Sequence, residues 1–175
     1  MDPTLAGRLR ASIRNVPDFP KPGIVFRDIT TFLLQPSLLR EATRELWVPF
    51  QDQAEVVVGI ESRGFILAAA MAVAQQVPFV PMRKPGKLPA ATESVEYALE
   101  YGTDRLEMHR DAIAPGAMVL ILDDVLATGG TAAAVAKLVD RLGGVVVGLG
   151  FVIELDFLHG RDKLAGREVF SLLHY

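Results

Sequence analysis

The chain has 175 residues, a formal net charge of −3 and no cysteine, and half of its residues are hydrophobic. This length and composition predict a single domain over residues 1–175 with a well-buried core, and the acidic balance argues against general nucleic-acid binding. The lack of cysteine excludes disulfides and thiolate metal sites and makes the cytoplasm the expected location.

The first elements predicted along the chain are two helices separated by a loop. Leu5, Leu9 and Ile13 recur at helical spacing in a polar and charged segment that does not resemble a signal peptide. The proline-rich residues 16–23 predict a loop, because proline fixes the backbone and removes a hydrogen-bond donor. The next helix is expected over residues 37–48.

Strands and helices then alternate, which predicts an α/β fold with a mainly parallel sheet and right-handed crossovers. The predicted strands are residues 55–60, 79–82, 118–122, 144–155 and 169–173, with helices over 65–76 and 132–142. The longest apolar stretch, 64–74, is too short to cross a bilayer, so no membrane association is expected. Ligands of such sheets bind beyond the carboxyl ends of the strands, here after Ile60, Met82 and Leu122.

The first of these three segments contains Ser62 and Arg63 in a tight turn between strand and helix. The forked guanidinium of Arg63 suits phosphate oxygens. The alternative is a surface arginine near a helix start, where its charge opposes the helix dipole.

The second segment predicts a flap over about residues 83–109. Its first part is polar and rich in proline and glycine, and residues 95–101 then alternate between apolar and polar side chains, as in a half-buried strand. A turn at residues 102–104 makes the flap a hairpin. Its start carries three cations, a pattern that suits a polyanion but is also typical of a solvated basic loop: Arg83, Lys84 and Lys87.

The third segment is the most informative, because an apolar strand ends in two adjacent acids, Asp123 and Asp124. Burying such a pair is costly unless a partner is present, and carboxylates are natural acceptors for the hydroxyls of a ribose. Gly129 and Gly130 follow in a small-residue loop that leads into a helix, with Thr131 as the expected N-cap. A helix N-terminus favours an anion, so the run predicts a sugar-phosphate site.

The run from Val119 to Thr131 resembles the phosphoribosyl pyrophosphate (PRPP) binding motif of type I phosphoribosyltransferases at every position. The resemblance implies that family's fold, with a mainly parallel central sheet flanked by helices, a flexible flap hairpin and an N-terminal hood. It also implies a Mg²⁺ cofactor held mainly by PRPP, with no direct protein ligand. The implied PRPP- and AMP-binding residues are Ser62, Arg63, Lys84, Lys87, Asp123, Asp124, Val125, Ala127, Thr128, Gly129, Gly130 and Thr131.

Residues 17–29, 83–89 with 99–102, and 154–164 with 170–173 resemble the adenine phosphoribosyltransferases within that family. This resemblance implies purine salvage, in which adenine and PRPP give AMP and pyrophosphate, by a protein that is usually dimeric. It implies adenine binding by the backbone around Val25 and Arg27 and by the ring of Phe26, which can otherwise be read as a core aromatic. The implied catalytic residues are Glu100, which handles a proton, with Arg63, Tyr101 and Asp124. Phe157 and His159 receive no role.

Two alternatives remain at this stage. The same PRPP site can serve a 6-oxopurine such as hypoxanthine, guanine or xanthine. The chain can also be a PRPP-sensing regulator without turnover, although such regulators need an effector domain and only a short helix precedes Val16.

Overall fold

The structure, a computed structural model, describes residues 4–98 and 103–175. Within these residues, the helices are α1 (Leu5–Ser12), α2 (Thr30–Leu33), α3 (Pro36–Trp47), α4 (Gly64–Gln75) and α5 (Gly130–Arg141). The strands are β1 (Arg14–Pro17), β2 (Val25–Asp28), β3 (Val56–Ile60), β4 (Phe79–Met82), β5 (Thr92–Ala98), β6 (Thr103–His109), β7 (Met118–Leu126), β8 (Val145–Glu154) and β9 (Val169–His174). Short 3-10 turns cover Val48–Phe50, Asp156–Leu158 and Gly160–Leu164.

The centre of the fold is a five-stranded sheet in the order β4-β3-β7-β8-β9, in which every neighbouring pair is parallel. The predicted parallel sheet is therefore confirmed. Its strands are apolar without alternation because both faces are covered. Leu120 and Leu122 of β7 pack into the core beneath α3 and α4, whereas Val119 and Ile121 pack into the core beneath α5.

Two antiparallel hairpins flank this sheet, β1 with β2 and β5 with β6. The loop predicted over residues 16–23 is wrong at its start, because Val16 and Pro17 pair with Phe26 and Val25. Pro17 is tolerated there because it is the last residue of a strand in a two-stranded sheet. The flap hairpin is confirmed, although its first strand begins at Thr92. The turn predicted at residues 102–104 is wrong at its end, because Thr103 and Asp104 lie in β6 and pair with Ala98 and Tyr97.

The central strand and the helix after it differ from the prediction at their ends. β7 continues through both acids to Leu126, because the long neighbour β8 pairs with it as far as Glu154. Helix α5 is capped by Gly129 rather than Thr131. Gly129 has a φ of 73°, a left-handed conformation that favours glycine.

Residues of the described ranges form no helix that is both long and apolar enough to span a membrane.

The packing of β8 against the 3-10 turn at Val48–Phe50 gives a stability prediction. A Cβ on Gly148 would lie 2.0 Å from the Phe50 ring. We therefore expect Gly148→Ala to destabilise the fold by about 1–3 kcal/mol through overpacking, measured by thermal unfolding. The double variant with Phe50→Leu should recover part of the loss, and an unchanged melting temperature in Gly148→Ala would contradict this packing.

Candidate active site

The carboxyl ends of β3 and β7 bring the first and third predicted segments into contact. A Cβ on Gly64, at the start of α4, would lie 2.7 Å from the carbonyl oxygen of Leu122 and 3.0 Å from Oδ1 of Asp123. Only a glycine allows this close approach. Arg63, one residue earlier, places Nη1 3.5 Å from Oδ2 of Asp124. The structure thus joins the arginine and the acid pair that the sequence assigns to one site.

The acid pair itself is closely packed. The backbone N–H of Asp124 donates to Oδ1 of Asp123 at 2.9 Å, and Asp124 is buried. Burial raises the pKa of Asp123 well above its ordinary value, and the charge of Asp124 adds to this effect. Burial also raises the pKa of Asp124, while Arg63 opposes that rise. Hydroxyl donors or a cation beside the pair would lower the free-energy cost of keeping both acids ionised.

The loop after β7 encloses a small cavity at the N-terminus of α5. The cavity has a volume of about 70 Å³, and the first N–H groups of a helix have no intrahelical partner. Its lining agrees with the predicted phosphate loop and adds Leu126, Ala132 and Phe151 to it: Asp123, Val125, Leu126, Ala127, Thr128, Gly129, Gly130, Thr131, Ala132 and Phe151. An anion fits this site because the helix dipole favours negative charge there.

The predicted cations of the flap are held by acids that sequence reasoning missed. Oε2 of Glu61 accepts from Nε of Arg83 at 3.3 Å and from the backbone N–H of Lys84 at 2.8 Å. The Lys84 ammonium pairs with Asp104, and this hydrogen bond lowers the pKa of Asp104. Glu61 follows β3 directly, but no sequence pattern links Lys84 to Asp104 across the hairpin.

The flap also reaches the phosphate loop. The Tyr97 hydroxyl donates to Oδ2 of Asp104 at 3.1 Å, and the nearby Thr131 side chain opposes the rise that burial causes in the pKa of Tyr97. Lys84, Asp104, Tyr97 and Thr131 therefore form one chain of polar contacts. Lys87 is exposed, and its carbonyl oxygen accepts from Nη1 of Arg83 at 3.4 Å.

The three residues predicted to bind the base lie on β2. The Phe26 ring is half-buried and has the Arg63 guanidinium 5.1 Å from its centre, so it faces the acid pair. The Arg27 side chain contacts Asn15 and lies 4.1 Å from the centre of the Tyr175 ring, away from that pair. Among the described residues β2 pairs with β1 alone, so no strand pairs with its other edge.

A cavity of about 390 Å³ lies beside this strand. Val25 and Arg27 line it together with Gly23, Ile24, Leu155, Phe157 and Leu158. The Phe157 side chain lines this cavity and is two-thirds exposed, at 67%. No role for Phe157 was predicted from the sequence, because the turn after β8 meets the loop before β2 only in the folded chain.

The predicted catalytic residues Glu100 and Tyr101 lie outside the residues that the structure describes. Their roles stay predictions.

The raised pKa of Asp123 gives a prediction for stability against pH. Because the pKa of Asp123 is raised from 3.8 in the folded protein, the folded chain binds more protons than the unfolded one above that value, and stability falls as pH rises through this window. Asp123→Asn removes the charge and keeps an acceptor for Asp124. We expect the variant to be more stable than the wild type at about pH 8, with the gain shrinking toward about pH 4.

Thermal unfolding over a pH series measures this difference. Asp52→Asn, at an exposed turn, is the matched control and should change little at any pH. A variant less stable than the wild type at about pH 8 would contradict the assigned cost of burial.

Comparison with known proteins agrees with this geometry. The family model of the phosphoribosyl transferase domain matches residues 34–169. The adenine phosphoribosyltransferase of Solibacter usitatus is 58% identical over 168 residues, which cover 95% of this chain and 97% of the relative.

Solved structures show the same relation. The crystal structure of adenine phosphoribosyltransferase from Rhodothermus marinus has a TM-score of 0.92 and 55% identity and covers 98% of both chains. The Saccharomyces cerevisiae enzyme, complexed with D-2,5-dideoxy-2,5-imino-altritol 1,6-bisphosphate and adenine, has a TM-score of 0.90 and 40% identity, and covers 96% of this chain and 98% of its own. The chain therefore belongs to the phosphoribosyltransferase family and, within it, to the adenine phosphoribosyltransferases.

Proposed function

We propose that the chain forms AMP and pyrophosphate from adenine and PRPP, the purine-salvage reaction of its family, at the carboxyl edge of the sheet. The observation that carries this proposal is the Asp123–Asp124 pair, in which the buried Asp124 is contacted by Arg63 and which is continuous with the loop at the N-terminus of α5. The yeast relative holds adenine together with an imino-altritol bisphosphate, which supports one site for a base and a phosphorylated sugar-like group. We propose that residues 1–175 form one domain.

The ribose 5-phosphate part of PRPP is assigned to β7 and its loop. The carboxylates of Asp123 and Asp124 accept hydrogen bonds from the two ribose hydroxyls, and the phosphate binds the backbone N–H groups of residues 127–131 with the hydroxyls of Thr128 and Thr131. The burial that raises the pKa of both acids makes such donors favourable. Val125, on the same strand, lies beside the base.

The reaction is a displacement at the anomeric carbon. The bond to the pyrophosphate oxygen breaks while a ring nitrogen of adenine bonds to that carbon, through a transition state with oxocarbenium character. The acid pair lies near the developing positive charge, and Arg63 with Lys84 draws negative charge onto the departing pyrophosphate. Ser62 and Lys87 complete the binding of that group. The Lys84 ammonium pairs with Asp104, and its remaining N–H donors are proposed to bind the pyrophosphate.

Magnesium is the proposed cofactor. It prefers oxygen ligands, and the two carboxylates beside the phosphate loop fit its outer shell while PRPP supplies most of the inner ligands. When bound, the ion neutralises part of the pyrophosphate charge.

The base is assigned to the edge of β2. Backbone groups at Val25 and Arg27 read the edge of adenine, and Phe26 stacks on its ring. Glu100 takes up the proton that adenine releases, and Tyr101 helps the flap, about residues 83–109, to exclude water from the cation.

The relatives are named adenine phosphoribosyltransferases, so we expect adenine to be used in preference to a 6-oxopurine at the same PRPP site. An assay of adenine, hypoxanthine, guanine and xanthine side by side decides between them. Turnover of any of these bases also excludes a regulator that only binds PRPP.

Removing either partner of the central ion pair tests the mechanism. We expect Asp124→Asn and Arg63→Ala each to lower the rate of AMP synthesis by about 10²–10³, because each removes one charged contact to the transition state. Steady-state kinetics with mass-spectrometric detection of AMP measure the loss. Arg40→Ala, on the exposed side of α3, is the matched control and should keep the wild-type rate. Near-normal AMP synthesis in both site variants would sink the assignment.

A homodimer is proposed on the outer face of α4. Ile66 and Val73 are seven residues apart and therefore share one side of this helix, and Val73 is 81% exposed. Large apolar side chains grouped on one helix face are typical of a surface that a second subunit covers.

Val73→Glu tests this surface. We expect the wild type to sediment as a dimer and the variant as a monomer, because a buried unpaired charge opposes association. Val145→Glu, at an exposed apolar position at the start of β8, should leave the dimer intact. A wild-type monomer, or a Val73→Glu dimer of unchanged affinity, would contradict the proposed interface.

A further inference from the structure

The 3-10 turn at Gly160–Leu164 lies directly behind the phosphate loop. A Cβ on Gly160 would be 2.2 Å from the carbonyl oxygen of Ala127 and 2.9 Å from the backbone nitrogen of Gly129. A Cβ on Gly129 would in turn lie 2.1 Å from the carbonyl oxygen of Gly160. The two backbones are therefore in direct contact, and no side chain fits between them.

The turn is held in this position by a buried acid. Nε and Nη2 of Arg161 donate to the two carboxylate oxygens of Glu154 at 2.8 and 2.7 Å, and Nη1 donates to the carbonyl oxygen of Val169 at 2.9 Å. The Ser171 hydroxyl donates to Oε2 of Glu154 at 2.7 Å. The hydrogen bonds from Arg161 lower the pKa of Glu154, which is buried. A forked pair of this kind fixes orientation as well as distance.

Glu154 is also tied to the strand that leads into the phosphate loop. It is the last residue of β8 and pairs with Leu126, the last residue of β7. The next backbone N–H, that of Leu155, donates to the carbonyl oxygen of Leu126 at 2.9 Å. Glu154, which anchors the turn, is thus paired with Leu126, the residue directly before the loop.

We infer that Glu154, Arg161 and Gly160 are positioning residues for the 5-phosphate. The Arg161–Glu154 pair holds the turn, and the Gly160 backbone supports residues 127–129 from behind. None of the three needs to touch the substrate. Backbone donors bind a phosphate only while they converge on it, so a shift of the loop by less than 1 Å weakens binding. The inference rests on the proposed function, because it assumes that this loop binds the phosphate of ribose 5-phosphate.

Gly160→Ala tests the contact with the loop. The substitution places a methyl group against Ala127 and Gly129, so we expect the Kd for ribose 5-phosphate, measured by isothermal titration calorimetry, to rise about ten- to a hundredfold. The KM for PRPP should rise with it. Gly166→Ala is the matched control, because Gly166 has a φ of +83° and nothing within 4 Å of its added Cβ. It should lower the melting temperature and leave the Kd unchanged.

Two variants of Arg161 test the ion pair independently of that clash. Arg161→Lys keeps the charge and loses the forked geometry, whereas Arg161→Met loses both, so the Kd for ribose 5-phosphate should rise less in the first than in the second. These variants also decide the question if Gly160→Ala does not fold.

The outcomes distinguish failure of the proposed phosphate site from failure of the positioning role alone. Wild-type protein that does not bind ribose 5-phosphate overturns the proposed phosphate site itself. Binding by the wild type, with unchanged Kd in Gly160→Ala or in both Arg161 variants, overturns the positioning role alone. An equal rise of the Kd in Gly160→Ala and Gly166→Ala also overturns it, because general destabilisation then explains the loss.

Discussion

Two adjacent carboxylates lie within the carboxyl end of the central strand, and burial raises the pKa of both. An ionised acid in such surroundings costs free energy unless donors or cations face it. Arg63 supplies part of that compensation, and Gly64 lets the chain before α4 come close enough for it. We propose that hydroxyl donors of the substrate supply the rest of the compensation.

We propose that the surroundings of the pair bind the two ends of the substrate in different ways. The loop after β7 is backed by the turn at Gly160–Leu164 and by the buried Glu154, which suits a group that must stay in place. The flap meets the site through side chains instead, with Lys84 paired to Asp104. Side-chain contacts that can change partner suit a leaving group. Fixed backbone donors suit a phosphate that stays bound.

The parallel sheet and the acid pair could be predicted from the sequence, because both leave local patterns. These are apolar strands covered on both faces and a small-residue loop before a helix. The β1–β2 hairpin was not predicted, because a proline such as Pro17 is typical of a loop. The end of β7 was predicted too early, because two adjacent acids are typical of a turn. Contacts such as Lys84 with Asp104, or Arg161 with Glu154 behind the loop, join residues whose pairing is set by tertiary packing. Phe157 lines one cavity with Val25, which is distant in the sequence, so this position could not be predicted from a local pattern.

The central claim is that Asp123, Asp124 and the loop at residues 127–131 hold one ribose 5-phosphate unit. A crystal structure of the protein with ribose 5-phosphate and Mg²⁺ tests it most directly. The account predicts phosphate oxygens within hydrogen-bond distance of the backbone N–H groups of residues 127–131, and the ribose hydroxyls on the two carboxylates. A phosphate bound elsewhere, or a ribose that leaves both carboxylates without hydroxyl donors, would contradict it.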